Sequence, residues 1–336
     1  MIVRFFLTGF AIILANPIEA PMRQIFAFLI AASLTVPACA QTVSCATPGT
    51  DNAFLGIQTI RLWPGAAPEA KGATCNDISA LTLFEARPGT ANGSAVIILP
   101  GGAYSHLAGD LEGREVADWF TARGFRAFIL SYRLTSNGYG LPVPLVDARR
   151  AIQTVRARAM DYHINANRIV VIGFSAGGHL AALAGTQFVA GDPNADDPIA
   201  RASSRPDFMV LGYPWLDAVT PDTTYLSYCK MFNLMDQCEA LRAKYDPVLF
   251  VSKDTPPTFI YHTFNDKTAS VEPSIEFYQA LVKAGVASEM HIFADGRHGS
   301  GLGKGDVALD QWPGLLETWL RAQGLLTVDK TAVGGK

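Results

Sequence analysis

Gly173-Phe174-Ser175-Ala176-Gly177 holds a serine between two glycines, each two residues away. It follows the apolar run Ile169-Val170-Val171-Ile172 and opens a helix-like stretch from Gly178 to Gln187. Strand, tight turn and helix in that order make a nucleophile elbow, which lifts a serine hydroxyl above a sheet. The turn forces the serine into a strained backbone conformation. The flanking glycines leave room where side chains would strike the neighbouring strand or helix. G-x-S-x-G alone is a weak signal; its place between a buried-type strand and a helix is what gives it weight.

A serine hydroxyl is a poor nucleophile without a base in hydrogen-bond reach. Of the six histidines, His298 lies in Gly296-Arg297-His298-Gly299, a glycine-rich loop after the last expected strand. Loops at strand C-terminal ends carry catalytic groups in open α/β sheets. His106 is placed to line the pocket, and His179, one turn beyond Ser175, to pack. His163, His262 and His291 read as structural or surface residues. The base needs an acid to fix its tautomer. Asp266, in Thr263-Phe264-Asn265-Asp266-Lys267, follows the strand Thr258 to His262 and is the expected acid, with Asp295 as the alternative. Asp254 precedes that strand and falls at the wrong end of the sheet.

A tetrahedral intermediate needs donors for its oxyanion. The Ala176 N–H follows the nucleophile. Pro100-Gly101-Gly102-Ala103-Tyr104 follows an apolar strand and can turn the Gly102 and Ala103 N–H groups inward. Tyr104 and Trp215 are expected to contact substrate. No phosphate-cradling G-x-x-x-x-G-K-[ST] occurs, and no C-x-x-C or helical His pair suggests a metal. Neither metal nor cofactor is expected.

These residues need elements to hold them. Apolar runs expected as strands, such as Ala95 to Leu99, Arg126 to Leu130, Phe208 to Leu211 and Ser288 to Phe293, alternate with helical patterns. Val116, Trp119 and Phe120 mark one helix, Leu145 to Ala159 a second, Ser274 to Ala284 a third, and Trp312, Leu316 and Trp319 the last. The alternation predicts an α/β fold with a mostly parallel sheet covered on both faces. Ile57 to Leu62 and Ala80 to Phe84 suit antiparallel edge strands. Residues 214–254 break the pattern and predict a small insertion after the sixth strand, beside the site. Residues 41–54 and 327–336 read as loose ends.

The 336 residues are 49% hydrophobic and 17% charged, with net charge −3, enough apolar material for one large core. No basic patch points to nucleic acid. Residues 1–40 form a leader. Met22-Arg23, the apolar stretch Ile25 to Val36 and Ala38-Cys39-Ala40 read as a secretory signal cleaved near Ala40. Residues 1–21 then belong to an overlong start, or to one longer leader or a membrane anchor. Residues 41–336 are expected as a single periplasmic or secreted domain with no stable membrane span. Cys45, Cys75, Cys229 and Cys238 remain after cleavage, an even count that suggests disulfides in an exported chain. Proximity favours Cys45–Cys75 and Cys229–Cys238 among three pairings.

Together, Leu99-Pro100-Gly101-Gly102-Ala103-Tyr104, Gly173-Phe174-Ser175-Ala176-Gly177-Gly178-His179-Leu180, Asn265-Asp266-Lys267-Thr268 and Gly296-Arg297-His298-Gly299 resemble the α/β-hydrolase family of exported bacterial esterases, the acetyl xylan esterase, xylanase-like and feruloyl-esterase-like branch. Arg61-Leu62-Trp63-Pro64-Gly65 is similar to its N-terminal strand, and the resemblance spans roughly residues 55–325. It implies the α/β-hydrolase fold, a triad of Ser175, Asp266 and His298, and oxyanion donors at Gly102, Ala103 and Ala176. Members act on acetyl or feruloyl esters of plant polysaccharides and on small aryl esters. Ala103 stands where related sequences carry a third glycine, and Arg297 and Ser300 flank His298 where other residues are familiar. The expected function is an exported serine esterase that hydrolyses short-chain carboxylic esters of a small molecule or oligosaccharide, above all acetyl esters of xylan-type carbohydrate, by a Ser-His-Asp acyl-enzyme mechanism. A prolyl-oligopeptidase-like peptidase and a silent binding module are the other readings. A candidate for every catalytic role favours an enzyme over the module.

Overall fold

Continuous apolar runs become strands here because helices cover both faces of the sheet. The computed structural model describes residues 58–329 apart from 222 and 223, all within one compact unit. The expected leader, Cys45 and the loose ends 41–54 and 330–336 lie outside the described residues.

The described strands are β1 (Thr59–Arg61), β2 (Ala80–Phe84), β3 (Ala95–Leu99), β4 (Arg126–Ser131), β5 (Ile169–Phe174), β6 (Phe208–Gly212), β7 (Thr258–Thr263) and β8 (Ser288–Phe293). They form one sheet in the order β1-β2-β4-β3-β5-β6-β7-β8. β1 pairs antiparallel with β2, and β2 with β4, while all later pairs are parallel. The two segments expected as antiparallel strands therefore occupy one edge.

Alternation sorts the strand side chains. Ala95, Ile97, Ile169 and Val171 join the core under α2 (Val143–Ala157), α3 (Ala176–Thr186) and α6 (Glu272–Lys283). Val96, Ile98, Val170 and Ile172 join the opposite core under α1 (Glu115–Thr121) and α7 (Trp312–Ala322). One residue of register slip would exchange the two cores, so apolar residues at every position leave the pairing to be set by neighbours.

Register also builds the site. Leu99 lies opposite Gly173, Phe174 opposite Gly212, and Thr263 opposite Phe293. The loops after β3, β5, β6, β7 and β8 thus leave the sheet from the same edge, where open α/β sheets bind ligands.

Between β6 and β7 lie two short helices, α4 (Tyr228–Met231) and α5 (Cys238–Tyr245), joined by a Cys229–Cys238 disulfide. Cys75 is also disulfide-bonded. Two boundaries differ from expectation. α3 starts at Ala176 rather than Gly178, because the helix begins directly after the strained serine. Gly109–Arg114 is a π turn feeding α1, which no periodicity announced. At the far end, Asp329 N–H donates to Asn92 O at 2.9 Å, so part of the expected loose end is tied to the domain.

Candidate active site

Ser175 sits at φ 51° and ψ −120° between β5 and α3. Two close approaches make that turn possible. A Cβ on Gly173 would fall 2.1 Å from Gly177 O, and one on Gly177 would fall 2.0 Å from Leu99 O. No side chain fits either place. The left-handed conformation costs a non-glycine residue of the order of 1–2 kcal/mol, held here by the surrounding structure. Ser175 N–H donates to Gly212 O at 3.1 Å, and Ser175 O accepts from His179 N–H at 3.0 Å and Trp215 N–H at 2.9 Å.

The Ser175 hydroxyl lies 2.8 Å from His298 Nε2, and His298 Nδ1 lies 2.6 Å from Asp266 Oδ2. Asp266 is ionised in this network, so Nδ1–H donates to it and Nε2 is left to accept from the serine. The other oxygen of Asp266 accepts from the Thr268 N–H at 2.8 Å and the Ala269 N–H at 3.1 Å. Burial pushes the Asp266 carboxyl up. Hydrogen bonds from His262 and His298, the His298 charge and the Thr268 N–H outweigh burial and hold it well below the usual carboxylate range. Asp295, the alternative acid, instead accepts from Asn265 and from the Gly296 N–H at 2.9 Å.

His262 was read from sequence as a structural strand residue. It is completely buried, and its Nε2 lies 3.4 Å from Asp266 Oδ2, the oxygen that also takes the His298 bond. The same Nε2 is 3.2 Å from Ala269 O, and Nδ1 is 2.9 Å from Ser274 Oγ. It helps to hold the acid. An i, i+4 spacing in a strand and loop carries no helical meaning, so the sequence offered no signal for it.

Three N–H groups close in sequence to the elbow or in the loop after β3 have no acceptor among the described residues: Gly102, Ala103 and Ala176. Gly101, one residue earlier, is different, since its N–H donates to Glu112 Oε2 at 2.7 Å. Ala103 and Tyr104 adopt φ 55° and 59°, so the loop turns sharply between the sheet and His106. His106 is exposed beside this loop.

The structure corrects the expected role of Tyr104 and Trp215. Both are fully buried in the core and present no surface to a substrate. Tyr104's hydroxyl donates to His179 Nδ1 at 2.8 Å, and Trp215 Nε1–H donates to Leu226 O at 2.8 Å. A large ring next to a cleft was equally able to face inward, and the polar tips found partners inside. His179 packs as expected. Its Nε2–H donates to Tyr245 O at 2.8 Å, and burial pushes its pKa down to about 4, so it stays neutral.

Two residues near the site carried no motif. Glu112, on the π turn, is buried, and Tyr213, after β6, packs its ring edge-on to the His298 ring with centroids 5.0 Å apart. A solvent-type acid in a loop and a tyrosine after a strand have no distinctive spacing, which is why sequence reasoning missed both.

Among the described residues no cluster of three or more His, Cys, Asp or Glu side chains could hold a metal, and no helix is long and apolar enough to cross a membrane. An open cleft of about 620 Å³ runs beside the His298 loop and is lined by Asp295, Arg297, Lys304 and Asp306. A second cavity of about 370 Å³ lies between Leu216, Tyr225 and Arg242 of the insertion and Glu272 of α6, and neither space is lined by Ser175, Asp266 or His298.

With this geometry in place, the chain can be set beside known proteins. The BD-FAE family profile matches residues 81–281. The acetylxylan esterase of Xylanibacter ruminicola is 29% identical over 240 residues, covering 70% of this chain and 47% of that protein. This chain thus spans about half the length of that curated relative. The crystal structure of an acetyl ester-xyloside bifunctional hydrolase from Caldicellulosiruptor lactoaceticus is 35% identical with a TM-score of 0.71, covering 80% of this chain and 97% of that one. An esterase from Thermogutta terrifontis with propionate bound, 24% identical with a TM-score of 0.66 over 82% of this chain and 98% of that one, shares the fold.

Proposed function

Because the chain belongs to the BD-FAE family of α/β-hydrolases, we propose that it is a serine carboxylic-ester hydrolase that removes acetyl groups from carbohydrate of the xylan type. One observation carries the chemistry: the line from Ser175 Oγ to His298 Nε2 at 2.8 Å and from His298 Nδ1 to Asp266 Oδ2 at 2.6 Å.

The reaction follows from that line. Ser175 Oγ attacks the ester carbonyl carbon while its proton passes to His298 Nε2. Asp266 keeps Nδ1–H in place and stabilises the imidazolium. The carbonyl oxygen becomes an oxyanion received by the Gly102, Ala103 and Ala176 N–H groups. Collapse breaks the bond to the alcohol, which leaves with the proton from His298. Water then repeats the sequence on the acyl-serine and releases the carboxylic acid. Preorganised donors of this kind contribute about 3–4 kcal/mol each to the transition state.

The carbohydrate part of the reading is supported by two things. The relatives named above include an acetylxylan esterase and an acetyl ester-xyloside hydrolase. The cleft beside His298 carries the charged side chains Asp295, Arg297, Lys304 and Asp306, which can hydrogen-bond sugar hydroxyls, together with Gly305, Val307 and Ala308. Acetate release from acetylated xylo-oligosaccharides tests it, with a feruloylated oligosaccharide, an octanoyl aryl ester and a prolyl peptide alongside. We expect acetate release by the parent and none by Ser175→Ala. Cleavage of the prolyl peptide with no acetate release would instead favour the peptidase reading.

We further propose that the chain is exported, with residues 22–40 as its signal. The support is the Arg23 charge, the apolar stretch Ile25 to Val36 and the small residues Ala38 and Ala40. Sequencing the N-terminus of exported protein is expected to begin at or near Gln41. Finding residues 1–21 retained would overturn this.

A further inference from the structure

Glu112 is 3% exposed and makes no ion pair among the described residues. Burial of a lone carboxyl is costly, and here burial pushes it up, while Tyr213, the Gly101 N–H, His298 and His106 pull it back only in part. A cost of that kind needs a reason.

The hydrogen bonds supply one. Glu112 Oε2 accepts from the Gly101 N–H at 2.7 Å, and Glu112 Oε1 accepts from the Tyr213 hydroxyl at 2.7 Å. The Tyr213 oxygen itself accepts from the Gly301 N–H at 2.9 Å. Its one proton is therefore directed at Glu112. Both carboxyl oxygens then receive donors, a pattern a carboxylate satisfies and a carboxamide does not.

The ends of this chain of bonds are informative. Gly101 comes just before the Gly102 and Ala103 N–H groups. Gly301 comes three residues after His298. Between them, the Tyr213 ring meets the His298 ring edge-on at 5.0 Å and 62°. Space is tight at the first end, because a Cβ on Gly101 would lie 2.6 Å from Glu112 Oε2 and 2.9 Å from Ser175 Cβ. The π turn that delivers Glu112 is closed by the Glu115 N–H donating to Asp110 O, a five-residue step. Such turns often occur at functional sites.

We propose that Glu112 is a positioning residue, whose carboxylate clamps the oxyanion loop at Gly101 and, through Tyr213, the His298 loop at Gly301, so that donors and base keep one spacing around Ser175. The inference rests on the serine-hydrolase reading and adds to it a buried acid that touches neither substrate nor the reacting atoms.

The test compares the parent with Glu112→Gln, Tyr213→Phe and the double variant. Two measurements are made: kcat and KM for p-nitrophenyl acetate, and the second-order rate of Ser175 labelling by a fluorophosphonate. Glutamine in place of Glu112 keeps the shape of the side chain but presents an N–H where an acceptor is needed. E112Q is expected to lower kcat about 100-fold with KM within about threefold of the parent, and to slow labelling by a similar factor. Y213F is expected to lose about 10-fold, and the double variant no more than E112Q alone within about threefold, because the pair acts as a unit. If E112Q does not fold, Y213F carries the same test. Variants that turn over and label within about threefold of the parent would overturn the proposal. So would a loss confined to KM, or fully additive losses. Labelling keeps this separate from the esterase reading: a parent that labels at Ser175 but hydrolyses no ester refutes that reading and still tests the clamp.

Discussion

Asp266 is the acid whose surroundings say most about its work. Its carboxylate takes hydrogen bonds from His298, His262 and two backbone N–H groups, which more than offset the burial that would otherwise raise it. Asp266→Asn keeps the size but reverses which imidazole nitrogen carries the proton. Turnover is expected to fall by roughly 10³–10⁴-fold, with the fold retained. The same residue gives a stability prediction with a definite sign. A carboxyl held below its unfolded value adds stability that is fully present above the unfolded value of about 4 and is lost as pH falls from there towards the folded value. Urea unfolding should show the parent more stable than D266N at pH 7, with the gap narrowing below about pH 4. A gap that grows in acid would contradict the assignment. The strained turn at Ser175 was legible in the sequence because it demands a rare arrangement, with Gly173 and Gly177 on either side. Sequence reading failed for Tyr104 and Trp215, because an aromatic ring beside a cleft can equally turn inward when its polar tip finds a buried partner. It also missed Glu112 and His262, whose roles depend on partners that no local spacing reveals.

The elements that hold these residues were legible in outline. Runs such as Ala95 to Leu99 and Ile169 to Phe174 are apolar throughout because both faces are covered, and alternation with helices pointed to a parallel sheet. Strand order was not legible, since β3 and β4 exchange places in space relative to the chain and no local pattern encodes that. The loop after β3 shows how an element tunes the site. Ala103 holds φ 55° next to Gly102, a backbone region that favours glycine. Ala103→Gly removes the strain of an L side chain in the left-handed region and is expected to stabilise the protein by about 1 kcal/mol. It also removes a methyl group beside the oxyanion donors. Parent kcat/KM should fall steeply from acetyl to octanoyl aryl esters, and A103G should flatten that slope. A parent that prefers octanoyl esters would contradict a crowded acyl site. With Tyr104 buried, that crowding rests on the Ala103 methyl alone.

At the scale of the whole molecule, five loops from one edge of the sheet meet around one serine. In the proposed mechanism the loop after β3 supplies oxyanion donors, that after β5 the nucleophile, that after β7 the acid and that after β8 the base, while Tyr213 follows β6. An open cleft lies beside the His298 loop, and a disulfide closes the insertion between β6 and β7. The structural relative from Caldicellulosiruptor lactoaceticus matches almost along its full length, while the curated acetylxylan esterase is about twice as long as the matched part. The proposed chemistry turns on Ser175 being a nucleophile activated by His298 and Asp266. The most direct measurement is mass-spectrometric mapping of a fluorophosphonate adduct on the parent and on Ser175→Ala. One adduct is expected, on the peptide containing Ser175, and none on the variant. An adduct on any other serine, or none on a folded parent, would contradict it.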